Sequence, residues 1–181
     1  MTKRYRRTML LLAATGYFSC AGAQGGEASV PATADFSEAP VVIFVCEHGS
    51  SKSLVAASLF NRMAEQRGSS VRALSRAVSS ETVDTKVSPR LVQSMSGDGF
   101  NVETFRPRAL SSAEAARAAS VVVIGYEGKV ESAGAASVER WNDIPPASLQ
   151  YDSAKKGLTS HIDLLLRTLD AGKGKSRPTG E

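Results

Sequence analysis

A chain of 181 residues is long enough for one domain and short for two. Its 22 Lys and Arg outnumber 18 Asp and Glu, but residues 1–23 hold four of those cations and no acid. The remainder is therefore near neutral, and the pI of about 9.2 gives no argument for a nucleic-acid surface.

In chain order, Lys3, Arg4, Arg6 and Arg7 form a basic start, a short apolar run follows, and Ala21-Gly22-Ala23 matches a small-x-small cleavage pattern. Residues 1–23 thus read as a secretory signal, too short in its apolar part for a spanning helix. The twin arginines also match an alternative export signal loosely. A lipid anchor would need Cys20, but Tyr17 and Phe18 spoil the motif that precedes a lipidated cysteine. The reading is a periplasmic or secreted protein, membrane-bound only if Cys20 is lipidated. Cleavage would leave Cys46 as a lone thiol, which cannot form a structural disulfide within the chain. Residues 24–40, rich in Gly, Ala, Ser and Pro, read as a flexible leader.

The most informative stretch comes next. Val41-Val42-Ile43-Phe44-Val45 is a continuous apolar run of the kind buried in parallel sheets, and it ends on Cys46. Glu47-His48-Gly49-Ser50-Ser51 is a short polar loop, and a helical stripe of Val55, Ala56, Leu59, Phe60 and Met63 follows, with Gly68 as its stop. A strand-to-helix loop turns backbone N–H groups toward one point, and the helix dipole adds positive potential there. That point suits an oxyanion and favours the thiolate of a cysteine beside it. Lys52 stands where a cation is unfavourable to the helix, which a bound anion would explain. Ser53 can cap the helix or donate to the sulfur. Gly49 allows the left-handed backbone that such a nest of N–H groups requires.

Further along, residues 71–75 read as a second strand. Ser88-Pro89 opens a helix that stops near Gly97 or Gly99, and Ser111 with Glu114 makes a capping box for a short helix. Residues 121–125 form a third strand. Periodicity leaves 129–141 ambiguous. Leu158, Ile162, Leu165 and Leu169 mark a last helix over about 148–169, and residues 171–181 read as a disordered tail. Strands alternating with helices imply a doubly wound α/β domain over 41–170, with ligands bound at the carboxyl ends of its parallel strands.

Strand, Cys46, five residues, a cation and Ser53 resemble the low-molecular-weight protein tyrosine phosphatases and the thioredoxin-coupled arsenate reductases of the same fold. Ser75-Arg76-Ala77, Phe105-Arg106-Pro107-Arg108 and the strand Val121-Val122-Val123-Ile124 also look familial. The resemblance implies a four-stranded parallel sheet with a fourth strand near residues 138–141. It implies attack by Cys46 on phosphorus, oxyanion binding by residues 47–53, and no metal or organic cofactor. Three departures stand out. Lys52 replaces an arginine and loses its bidentate fork. The general acid, an Asp directly before Pro, is here at best Asp143, two residues before Pro145. The further cysteines of the arsenate reductases are missing. Arg76 and Arg108 are candidates to supply a guanidinium, His48 to move a proton, and His161 reads as structural. The expected activity is hydrolysis of phosphate monoesters, with phosphotyrosine proteins among the substrates. The rivals are arsenate reduction with an external thiol, and oxyanion binding with little turnover.

Overall fold

The structure, a computed structural model, describes residues 40–130, 134, 135 and 137–175. The expected signal segment, nearly all of the expected leader and the last six residues lie outside it. Four strands, β1 (Val41–Cys46), β2 (Arg72–Ala77), β3 (Ser120–Ile124) and β4 (Val138–Trp141), form one sheet in the order β2-β1-β3-β4. Every neighbouring pair is parallel. The helices are α1 (Lys52–Gln66), α2 (Pro89–Gly97), α3 (Ser112–Arg117) and α4 (Tyr151–Lys175).

Strand alternation divides the core. Val42, Phe44, Val122 and Ile124 face one side of the sheet, where they meet Leu54, Phe60, Leu158 and Ile162 of α1 and α4. Val41, Ile43, Val45, Val121 and Val123 face the other, against Leu110, Ala115 and Ala118 around α3. Both faces of β1 are covered, which is why its sequence is apolar at every position. Phe44 is fully buried, with ring centroids 5.7 Å from Phe60 and 5.5 Å from Trp141.

Most ends follow from local chemistry. Gly68, at φ +66, closes α1: its N–H bonds the Glu65 carbonyl and that of Ser69 bonds the Ala64 carbonyl. Ser88 caps α2 and Ser111 makes the full capping box of α3. Some boundaries move. β2 runs over 72–77, later than expected, because it pairs with the whole of β1, from Val41↔Arg72 to Cys46↔Ala77. β3 stops at Ile124, since Gly125 turns to φ +59. α4 starts at Tyr151, after a turn in which the N–H groups of Leu149 and Gln150 bond the Pro146 carbonyl. It continues to Lys175, past residue 171 where the tail was expected to start, and residues 176–181 lie outside the described residues; each added helical residue gains a hydrogen bond once the helix is nucleated.

Candidate active site

Cys46 ends the central strand and the next five residues connect it to α1. The carbonyls of this loop are fixed one after another from outside. Val78 N–H bonds the Cys46 carbonyl (3.1 Å), Thr82 Oγ1 that of Glu47 (2.7 Å), Asp84 N–H that of His48 (3.2 Å) and Ser75 Oγ that of Gly49 (3.0 Å). In a planar trans peptide the N–H points opposite to the preceding C=O. Four carbonyls held toward β2 and the segment after it therefore turn the N–H groups of residues 47–50 the other way. Among the described residues, no N–H of residues 47–51 donates to a carbonyl. The helix that follows has Ser51 at its N-cap without a side-chain capping bond, and no acid in its first turn. Its own orphan N–H groups and dipole thus add to the same positive concavity.

Gly49 sits at φ +70, and a Cβ there would lie 2.7 Å from the Ala77 nitrogen and 3.0 Å from the Arg76 carbonyl carbon. The left-handed turn was legible in the sequence. The close approach of the loop to the end of β2, which leaves no room for any side chain, was not.

The nucleophile candidate is buried at the base of the loop. Cys46 Sγ lies 3.0 Å from Ser53 Oγ, and Ser53 Oγ 2.8 Å from Ser75 Oγ. All three side chains are buried. Each hydroxyl has one proton to give. Ser75 Oγ donates either to Ser53 Oγ or to the Gly49 carbonyl. When Cys46 is a thiolate, Ser53 can donate to sulfur and Ser75 to Ser53. The sequence marked Ser53 as a donor to the thiolate. It placed Ser75 only in a familial motif, with no role; the available signal was a serine in the middle of a strand buried on every neighbouring position.

The other candidates separate. Lys52 is partly buried, and its Nζ donates to the Gly125 carbonyl at 3.4 Å, a long bond across to the end of β3. Glu47 is exposed, 3.8 Å from His48 Nε2. His48 donates through Nδ1 to the Thr82 carbonyl at 2.8 Å, since a carbonyl can only accept. Ser50 is buried and donates to Asp84 Oδ2. Ser51 is the N-cap of α1.

Asp143 is paired with His161. Its carboxylate oxygens lie 2.9 and 3.0 Å from His161 Nε2, and the His161 ring stacks on Trp141 at 4.7 Å. The hydrogen bond from His161 holds the Asp143 carboxyl below its ordinary value, which disfavours the protonated form a general acid needs. The structural reading of His161 fits this contact.

Arg76 does not supply a guanidinium to the loop. It is buried, donates through Nε and Nη2 to Glu114 Oε1 at 3.0 and 2.6 Å, and through Nη1 to the Ser75 carbonyl at 2.8 Å. Burial raises the Glu114 carboxyl, but the bonds from Arg76 and Ser111 outweigh it and leave the group below its ordinary value. Arg108 is exposed, and its carbonyl accepts from Ala77 N–H.

A family model described as low molecular weight phosphotyrosine protein phosphatase matches residues 41–131, half of the chain. Among solved structures, YfkJ of Bacillus subtilis is 14% identical with a TM-score of 0.63, over 77% of this chain and 99% of that one. A protein tyrosine phosphatase of Entamoeba histolytica is 12% identical with a TM-score of 0.64, over 75% and 99%. A thioredoxin-dependent arsenate reductase of Corynebacterium glutamicum is 19% identical with a TM-score of 0.58, over 74% of this chain and 63% of that one. At such identities these likenesses concern the fold. No curated protein matches in sequence.

Proposed function

Because the chain belongs to the low molecular weight phosphotyrosine protein phosphatase family, we propose that it hydrolyses phosphate monoesters through a phosphocysteine on Cys46. The observation that supports this most directly is the set of N–H groups of residues 47–50, turned inward and, among the described residues, without a carbonyl partner, around a buried thiol held by Ser53. Sulfur attacks phosphorus, the S–P bond forms, and the ester P–O bond breaks with its electron pair on the leaving oxygen, which takes a proton. Water then attacks phosphorus, and release of phosphate returns the thiolate. The inward N–H groups bind the equatorial oxygens as charge builds on them. Ser53 stabilises the thiolate in both steps. Lys52 adds its charge once its ammonium leaves the Gly125 carbonyl. The substrate class includes phosphotyrosine proteins, and residues 1–23 direct the protein out of the cytoplasm.

A second reading, an oxyanion-binding protein with little turnover, is favoured by one observation: the Asp143 carboxylate is occupied by His161. Arsenate reduction remains a third reading, in which Cys46 bonds arsenic and a thiol from another molecule supplies the electrons. The purified protein should hydrolyse an activated aryl phosphate, with the rate lost in Cys46→Ser. Hydrolysis unchanged in Cys46→Ser would end the phosphatase proposal. Arsenate turnover with an added thiol and none of the aryl phosphate would favour the third reading.

A further inference from the structure

The loop that carries the oxyanion site has little of its own to hold it. Gly49, at its centre, has no side chain, and the four N–H dipoles of residues 47–50, turned to one side, repel each other when no anion is bound. The restraint comes from the segment after β2. Thr82 Oγ1 donates to the Glu47 carbonyl and Asp84 N–H to the His48 carbonyl. In return, His48 Nδ1 donates to the Thr82 carbonyl and Ser50 Oγ to the Asp84 carboxylate. Thr82 is itself fixed by Ser79, whose hydroxyl lies 3.2 Å from Thr82 Oγ1. Asp84 therefore grips the loop on both sides of Gly49, through its amide at His48 and its carboxylate at Ser50.

We infer that residues 79–84 form a clasp on the oxyanion loop and that Asp84 is a positioning residue, acting through Ser50 and His48. The part of this inference that concerns anion binding rests on the function proposed above; the part that concerns the order of the loop does not. A carboxylate in this place has two opposed effects. As an acceptor for Ser50 it keeps the N–H groups aligned. As a negative charge bonded to the cradle it repels the oxyanion the cradle is built for. Asparagine retains the acceptor and removes the charge, whereas alanine removes both, so the two substitutions separate the effects.

The test is amide hydrogen exchange of Val78 and Asp84, whose N–H groups hold the Cys46 and His48 carbonyls, together with binding of inorganic phosphate, in the intact protein. Asp84→Ala should speed exchange of these amides about tenfold or more, the loss of one hydrogen bond to a charged group, with β1 and β3 unchanged. Asp84→Asn should restore the protection seen in the wild type. Phosphate should bind Asp84→Ala about tenfold more weakly than the wild type, and Asp84→Asn at least as tightly as the wild type. Should Asp84→Ala not fold, Ser50→Ala removes the other partner and should loosen the same amides. Unchanged exchange in the folded Asp84→Ala protein overturns the clasp, whether or not phosphate binds. Faster exchange that Asp84→Asn does not reverse overturns the role given to the acceptor. Protection lost and restored as expected, in a protein that binds no phosphate, supports the clasp and counts against the proposed function instead.

Discussion

Two loops at the carboxyl ends of the sheet differ in how they are held. The loop after β1 is fixed in the interior: its carbonyls are pinned, its thiol and two serines are buried, and the Arg76–Glu114 pair lies behind it with side chains 5% and 12% exposed. The loop after β4 lies at the sheet edge, where Asp143 is 66% exposed and meets His161 on the helix surface. Both places contain a carboxylate held ionised by a cationic or hydrogen-bonding partner. In the first, the pair braces β2 beside the nucleophile. In the second, the pair engages the carboxylate expected as the proton donor. The candidate nucleophile and the inward N–H groups thus share one rigid loop, whereas the candidate proton donor is engaged by His161.

The largest effect expected from this contrast is at the nucleophile. Cys46→Ser should reduce hydrolysis of an activated aryl phosphate to the uncatalysed level while inorganic phosphate still binds, because the N–H groups remain. Titration of phosphate binding by calorimetry checks the second half. Loss of binding along with activity would mean that the thiolate, not the backbone, organises the loop.

Next in size is the brace. Glu114→Ala should destabilise the protein by about 3 kcal/mol, since it strands the buried Arg76 charge and removes the capping box of α3. Asp143→Asn should cost less than about 1 kcal/mol, as expected for an exposed pair. Denaturant midpoints measure both. The pH dependence has a fixed sign. The Glu114 carboxyl titrates lower in the folded state than its ordinary value of 4.5, so its stabilisation is present above that value and is lost as pH falls through the folded one. Glu114→Gln should flatten this acid limb. An unchanged limb would place the acid sensitivity elsewhere.

Lys52 gives a smaller effect. Lys52→Ala should weaken phosphate binding about tenfold, the loss of one charge-assisted hydrogen bond. Binding as tight as in the wild type would mean that the ammonium stays at the Gly125 carbonyl when the anion is bound, and that the N–H groups suffice.

Much of this was legible in the chain. The apolar run ending on Cys46, the left-handed Gly49 and the capping box of Ser111 and Glu114 are short-range signals, and each appears in the structure where its chemistry put it. β4 was visible only through family resemblance, because Val138, Glu139 and Arg140 form an edge strand with no apolar alternation to read. The roles of Ser75, Thr82 and Asp84 were hidden for a different reason. These residues lie 22, 35 and 34 residues from Ser53, Glu47 and Ser50, the partners that give them meaning. Parallel pairing of β1 with β2 brings them together, and no local pattern in the sequence records it.

The sharpest test of the comparison is the smallest change in rate. If Asp143 were the proton donor, Asp143→Asn should slow alkyl phosphates, whose leaving oxygens need a proton, more than activated aryl phosphates, whose leaving oxygens do not. The structure points the other way. His161 stabilises the Asp143 carboxylate, so few molecules carry the proton at neutral pH, and the pair is anchored by the stack of His161 on Trp141. Asp143→Asn should then change kcat on either substrate by less than about twofold, well below the 10²–10⁴-fold that a general acid contributes. His161→Ala is the complementary probe. It frees the carboxylate and removes the force that lowers its proton affinity, so any latent ability of Asp143 to serve as the acid should appear as faster alkyl phosphate hydrolysis. A large, alkyl-selective loss in Asp143→Asn would show that the pair opens during turnover and would restore Asp143 to the role its place after β4 suggests.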